Sequence, residues 1–233
     1  MDGRLGPQDI PSPAPREQLR EPGKVPRFAV TWDYRGTFAR NLSEHVVEGL
    51  AAGAGWDVEF WPFSVEQTRR AEGEASIWDE PRDSVSLLAM QVGLVVRDSL
   101  PQQFPALHVA MFAARHDEGL DLGDEKVLRQ VLVRQGIDAD AVWAEVATGS
   151  ALETYRREHQ RAVADHGAFG VPVLVADGRA AFVRLLHRPA GDAQLARRTV
   201  ERLLDLVVGW PDLNELKHTT IPPSLDPHRR QRL

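Results

Sequence analysis

The 233-residue chain is 42% hydrophobic and 27% charged, with a formal net charge of −6 and no cysteine. That balance is that of an ordinary soluble globular protein with room for one well-cored domain, or one domain carrying a large insertion. Zero cysteine excludes disulfides, thiolate metal sites and a cysteine nucleophile, and the negative charge argues against nucleic acid as a partner. The dense basic cluster His228-Arg229-Arg230-Gln231-Arg232 reads as a solvated tail. No apolar run is long enough to cross a bilayer and the first residues have no signal-peptide core, so no membrane association is expected and a cytoplasmic location is the default.

Six of the 16 prolines fall in the first 26 residues without any periodicity, which predicts a disordered tail over 1–26. Phe28, Val30 and Trp32 alternate with Ala29 and Thr31, the pattern of a buried strand over 27–33. After Tyr34-Arg35-Gly36, Thr37 is positioned to cap a helix whose apolar residues Phe38, Leu42, Val46 and Leu50 recur every four positions. Residues 56–63 form a second strand with Pro62 near its end, and a short βαβ crossover makes the two strands parallel.

From 64 to 168 the periodicity is helical. It runs through Val85, Leu88, Val92 and Val96, through Phe104, Leu107, Met111 and Ala114, then Val127 and Val131, then 142–146, and last a long helix over 150–166. This is a helical insertion without a fixed repeat. Strands resume at 171–175 and 180–186 around Asp177-Gly178, a strong hairpin signal. A final helix from Asp192 to about Val208 precedes a C-terminal tail over 209–233. The expected fold class is α/β: a thioredoxin-like domain over 27–63 and 169–208, interrupted by a large all-α insertion over 64–168.

The sequence resembles the DsbA-family oxidoreductases of the cytoplasmic kind, whose fold also includes kappa-class glutathione transferases and 2-hydroxychromene-2-carboxylate isomerases. The resemblance covers about residues 27–220 and rests on Trp32 to Asn41, Phe169-Gly170-Val171-Pro172, Phe182 to Pro189, and Gly209-Trp210-Pro211 with Lys217-His218-Thr219. In such proteins a Cys-x-x-Cys stands where strand one enters helix one and faces a cis-proline. Here the motif aligns as Gly36-Thr37-Phe38-Ala39, so both redox positions are vacant, and Pro172 matches the cis-proline.

The resemblance implies a degenerate site at Gly36, Thr37, Phe38 and Ala39, with no catalytic residue assigned. Tyr34, Arg35, Thr37, Val171 and Pro172 are its candidate ligand contacts; His187 and Arg188, which follow the second strand of the hairpin, are further candidates. A helix N-terminus that stabilises a thiolate in relatives would equally favour an anion or a thiol brought by a ligand. The leading expectation is a non-redox binding or regulatory protein, without a resident cofactor, for a small thiol or a peptide. One alternative is an enzyme using mycothiol or glutathione, although Gly36 lacks the hydroxyl that activates the thiol in transferases. The other is a structural protein that homodimerises through a helix over 85–96, apolar on more than one face. The histidine spacings, His159 with His166 and His116 beside Asp117, do not read as a metal site.

Overall fold

In a computed structural model, the described residues are 25–71, 73–79, 84, 87–210 and 212–218. The expectations for 1–24, Val85, Pro211 and the His228–Arg232 cluster lie outside them. The elements run β1 (Arg27–Trp32), α1 (Thr37–Ala51) and β2 (Asp57–Pro62), then α2 (Val65–Thr68), α3 (Leu87–Ser99), α4 (Phe104–His116), α5 (Glu125–Arg134), α6 (Ala139–Ala147) and α7 (Ser150–His166), and finally β3 (Val173–Ala176), β4 (Arg179–Phe182) and α8 (Ala193–Gly209). The sheet order is β2-β1-β3-β4. β1 and β2 are parallel in the register Arg27↔Asp57 to Trp32↔Pro62, and β3 is antiparallel to both β1 and β4.

The local chemistry explains most boundaries. The β3–β4 hairpin turns on Asp177 at φ 48° and Gly178 at φ 72°, the two positive values that a tight two-residue hairpin requires. Asp192 starts α8 by accepting the Leu195 N–H at 2.9 Å. β3 begins two residues later than expected because Val171–Pro172 forms the approach to the strand. β4 ends at Phe182 rather than Leu186, with Val183 N–H still donating to Pro172 O at 3.0 Å.

β1 feeds an aromatic core against the helices. Trp32 and Tyr34 are fully buried and lie 4.6 Å apart, Trp32 meets His108 edge-on at 4.9 Å, and Tyr34 meets Phe112 at 5.0 Å. Such edge-to-face pairs add to the area they bury. α3 passes close over this cluster at Gly93, where a β-carbon would stand 2.6 Å from the Tyr34 hydroxyl and 2.8 Å from the Trp32 ring. The two-faced apolarity of α3 is satisfied inside the chain. Leu87, Val92, Leu94, Val95 and Val96 are all buried, with α4, α6 and α7 packed around them, so this helix is not a free dimerisation face. Val163 of α7 and Leu195 of α8 are 40% and 41% exposed, so the apolar residues of these two helices do not all face the core.

Candidate functional site at the N-terminus of α1

The turn from β1 into α1 is built on Asp33. Its buried carboxylate accepts the Arg35 N–H at 2.9 Å and the Val65 N–H at 3.4 Å, while its carbonyl accepts the Gly36 N–H at 2.9 Å. Burial pushes the Asp33 carboxyl upward from the ordinary range, and the two amide bonds oppose that shift. One side chain thus folds the loop and ties it to the start of α2, the local turn that aspartate favours.

α1 starts at Thr37, with Gly36 in the capping position at φ −86° and ψ 109° and no side chain accepting a hydrogen bond there. Thr37 is therefore the first helical residue and not the cap. With no side-chain cap at Gly36, the first amides of the helix, with their share of the positive dipole end, stay available to a ligand. The peptide bond Val171–Pro172 is cis and faces this terminus. A β-carbon built on Gly36 would stand 2.8 Å from Val171 Cγ2 and 3.2 Å from the Ala39 β-carbon. Both vacant positions and the cis-proline segment therefore form one contiguous site.

The structure sorts the anticipated residues. Arg35 and Thr37 are exposed, Gly36 and Phe38 half-buried, and Ala39, Val171 and Pro172 buried. Tyr34 is a correction: it is 1% exposed, its hydroxyl lies 3.3 Å from His108 Nδ1, and its side chain belongs to the core rather than to a ligand surface. Only its carbonyl takes part near the loop, accepting from His116 Nε2 at 2.9 Å. His187 and Arg188 are occupied with the body of α1. The His187 carbonyl is 3.2 Å from His45 Nε2, and Arg188 is 3.4 Å from Glu44 and 3.6 Å from Asp117, joining the buried Arg40 that pairs with both carboxylates.

A wall of the site was missed in the sequence. Arg184 lies over the Phe38 ring at 5.7 Å and over Phe182 at 5.5 Å, and Phe182 meets the 62% exposed Phe169 at 5.0 Å. The signal was present in Phe169, which directly precedes Gly170-Val171-Pro172. It needed the hairpin to bring Phe182 and Arg184 alongside. Among the described residues no group of three or more metal-ligating side chains assembles. His159 instead accepts the Ser64 N–H at 3.2 Å inside the core. Among the same residues no helix is long and apolar enough to cross a membrane.

Comparison with known proteins agrees with this architecture. The family profile described as DSBA-like thioredoxin domain matches residues 78–187. Uncharacterized protein Rv2286c of Mycobacterium tuberculosis is 27% identical over 182 residues, covering 77% of this chain and 76% of that protein. The cytosolic disulfide reductase DsbM of Pseudomonas aeruginosa, solved with GSH, superposes with a TM-score of 0.54 at 14% identity, over 77% of this chain and all of that one. A 2-hydroxychromene-2-carboxylate isomerase gives a TM-score of 0.55 at 16% identity, over 77% of this chain and 96% of that one. A probable DsbA oxidoreductase from Streptomyces coelicolor gives 0.54 at 17% identity, over 83% and 93%. The chain thus has the thioredoxin-like fold of these proteins, is similar to the DSBA-like thioredoxin domain over residues 78–187, and has no cysteine at positions 36 and 39.

Proposed function

We propose that this chain is a non-redox binding or regulatory protein that uses the α1 N-terminus, the Val171–Pro172 segment and the Phe38–Arg184–Phe182–Phe169 wall to hold a low-molecular-weight thiol or a short peptide. The observation carrying this reading is that the site keeps its open helix amides and its cis-proline contact while no thiol exists anywhere in the sequence. An anionic or thiolate group would meet the helix end and Arg35, and an apolar neighbour would meet the aromatic wall. The DsbM neighbour solved with GSH supports a thiol of the glutathione type as the first ligand to test. Its cytosolic description supports a cytoplasmic setting. Position 36 offers no hydroxyl to activate such a thiol, which favours binding over transfer chemistry.

The test is calorimetric titration of the full chain with glutathione, mycothiol and a short cysteine-containing peptide, repeated on Arg35→Ala and Phe182→Ala. Saturable binding by at least one ligand, weakened several-fold by either substitution, is expected. Absence of binding by all three, or binding indifferent to both substitutions, refutes the assignment.

A further inference from the structure

A cavity among the described residues lies elsewhere, along the outer edge of β2. It has a volume of about 790 Å³ and is lined by none of the residues at the α1 N-terminus. That volume lies within the range of small-molecule sites, roughly 300–1,000 Å³. We infer that this cleft is a second binding site, for an amphipathic carboxylate with an aliphatic or aromatic body.

The apolar part comes from Trp56, Val58, Phe60, Trp61 and Phe104, together with Leu50 from the end of α1. Phe60 and Phe104 meet at 5.4 Å and are buried, whereas Trp56, Val58 and Trp61 are only partly covered, so a hydrophobic body would remove aromatic surface from water. β2 does not offer this cleft as a free strand edge. Asp57 and Phe63 donate to Pro26 O and Trp32 O, so alternation turns the peptide groups of Val58 and Phe60 outward, and Arg97 Nη1 already donates to Phe60 O at 2.7 Å. An added strand is stopped there, which leaves the slot to a compact ligand.

The charged lining decides the sign of the head group. Its carboxylates are answered: Glu59 by Arg27 at 2.8 Å and by Trp61 Nε1 at 2.9 Å, Asp57 by Arg27 at 3.4 Å, and Glu158 by Arg97 at 2.7 Å. The cations of α7 are less committed. Arg157 donates to Thr154 Oγ1 at 3.2 Å and has no carboxylate partner among the described residues, and Arg161, one turn on, lies over Trp61 at 5.2 Å with Asp165 at 3.6 Å. A carboxylate entering here finds two guanidinium groups with donors to spare, and a cationic head finds acceptors already taken.

The experiment uses the full chain with 8-anilinonaphthalene-1-sulfonate as a fluorescent probe, and dodecanoate and dodecyltrimethylammonium, both below their micelle concentrations, as competitors. Dodecanoate should displace the probe, the cationic amphiphile should not, and Arg157→Glu with Arg161→Glu should weaken dodecanoate at least ten-fold. Both arginines are exposed, and an unchanged melting temperature certifies the variant. Equal competition by the cationic amphiphile, or unchanged affinity in the double variant, overturns the inference. So does loss of binding in Arg35→Ala, which would place the amphiphile at the α1 N-terminus. Because the thiol and peptide titrations address that other site, either assignment can fail without the other.

Discussion

Gly36 and Val171 stand so close that a β-carbon at position 36 would meet Val171 Cγ2 at 2.8 Å. The valine occupies the space into which a side chain at the first motif position would project. Gly36→Cys should therefore cost about 1–3 kcal/mol through overpacking, and Val171→Ala in the same chain should recover part of it, a coupling measurable by a double-mutant cycle in denaturant. In that double variant the thiol lies at the open helix end and should titrate below the ordinary value of about 8.5. Iodoacetamide reaction rates across pH would show it, and a thiol behaving like a surface control would contradict the open geometry. Neither the parent chain nor the variant should reduce insulin disulfides catalytically, since a resolving thiol is absent at Ala39.

Acid should unfold this protein earlier than carboxylate titration alone would. Burial lowers His108 to about 3 and His159 to about 4 from an ordinary 6.5, and lowers His45 and His116 in the same sense. These rings are neutral in the fold and take up protons on unfolding. Their stabilisation is complete above pH 6.5 and is lost progressively as pH falls toward the folded values, about 4 for His159 and about 3 for His108. Asp33, shifted upward by burial, works in the opposite direction at the low end of that window. Two such histidines imply a decline of about 3 kcal/mol per pH unit below pH 6. Urea unfolding at a series of pH values would measure it, and His108→Phe should cut the slope to roughly half whatever it does to absolute stability.

Gly93→Ala tests the close approach of α3. Alanine is the better helix former by up to about 1 kcal/mol, yet its β-carbon would press on the Tyr34 hydroxyl at 2.6 Å and on the Trp32 ring at 2.8 Å. The clash should win, with a net loss of about 1–3 kcal/mol. A variant as stable as the parent would show that α3 can shift outward freely.

Arg40→Met should destabilise by about 3–5 kcal/mol, the usual cost of stranding one member of a buried ion pair. Glu44 is only 7% exposed, and Arg188 at 3.4 Å is too far for a good hydrogen bond to replace the 2.7 Å contact with Arg40. Pairing this change with Glu44→Leu should restore much of the loss, which equilibrium denaturation can read directly.

What could be seen in the sequence was local. The Asp177-Gly178 turn, the Asp192 cap and the buried strand β1 are written in neighbouring residues, and the structure repeats them. The site was legible where two short segments carry it, 36–39 and 171–172. It was misjudged where distant chain intervenes: Tyr34 is buried by His108, Phe112 and Gly93, contributed by helices far along the sequence. Thr37 has the residue type of a cap, whereas the structure gives that position to Gly36 and places Thr37 one residue inside the helix. Ser64, which caps the short α2 by accepting the Gln67 N–H, also went unread, hidden at the join between β2 and the helical segment.

The hydrogen bond from Arg97 to the Phe60 carbonyl bears on how this protein behaves at high concentration. An outer strand with its peptide groups free is a template for sheet-to-sheet polymerisation, and fibril growth needs consecutive registers to be open. Here the guanidinium closes the register at Phe60 and is itself anchored by Glu158, while Pro62 brings no amide to the next outward position. Copies of this chain therefore find no run of consecutive open registers along β2 on which to add strand to strand.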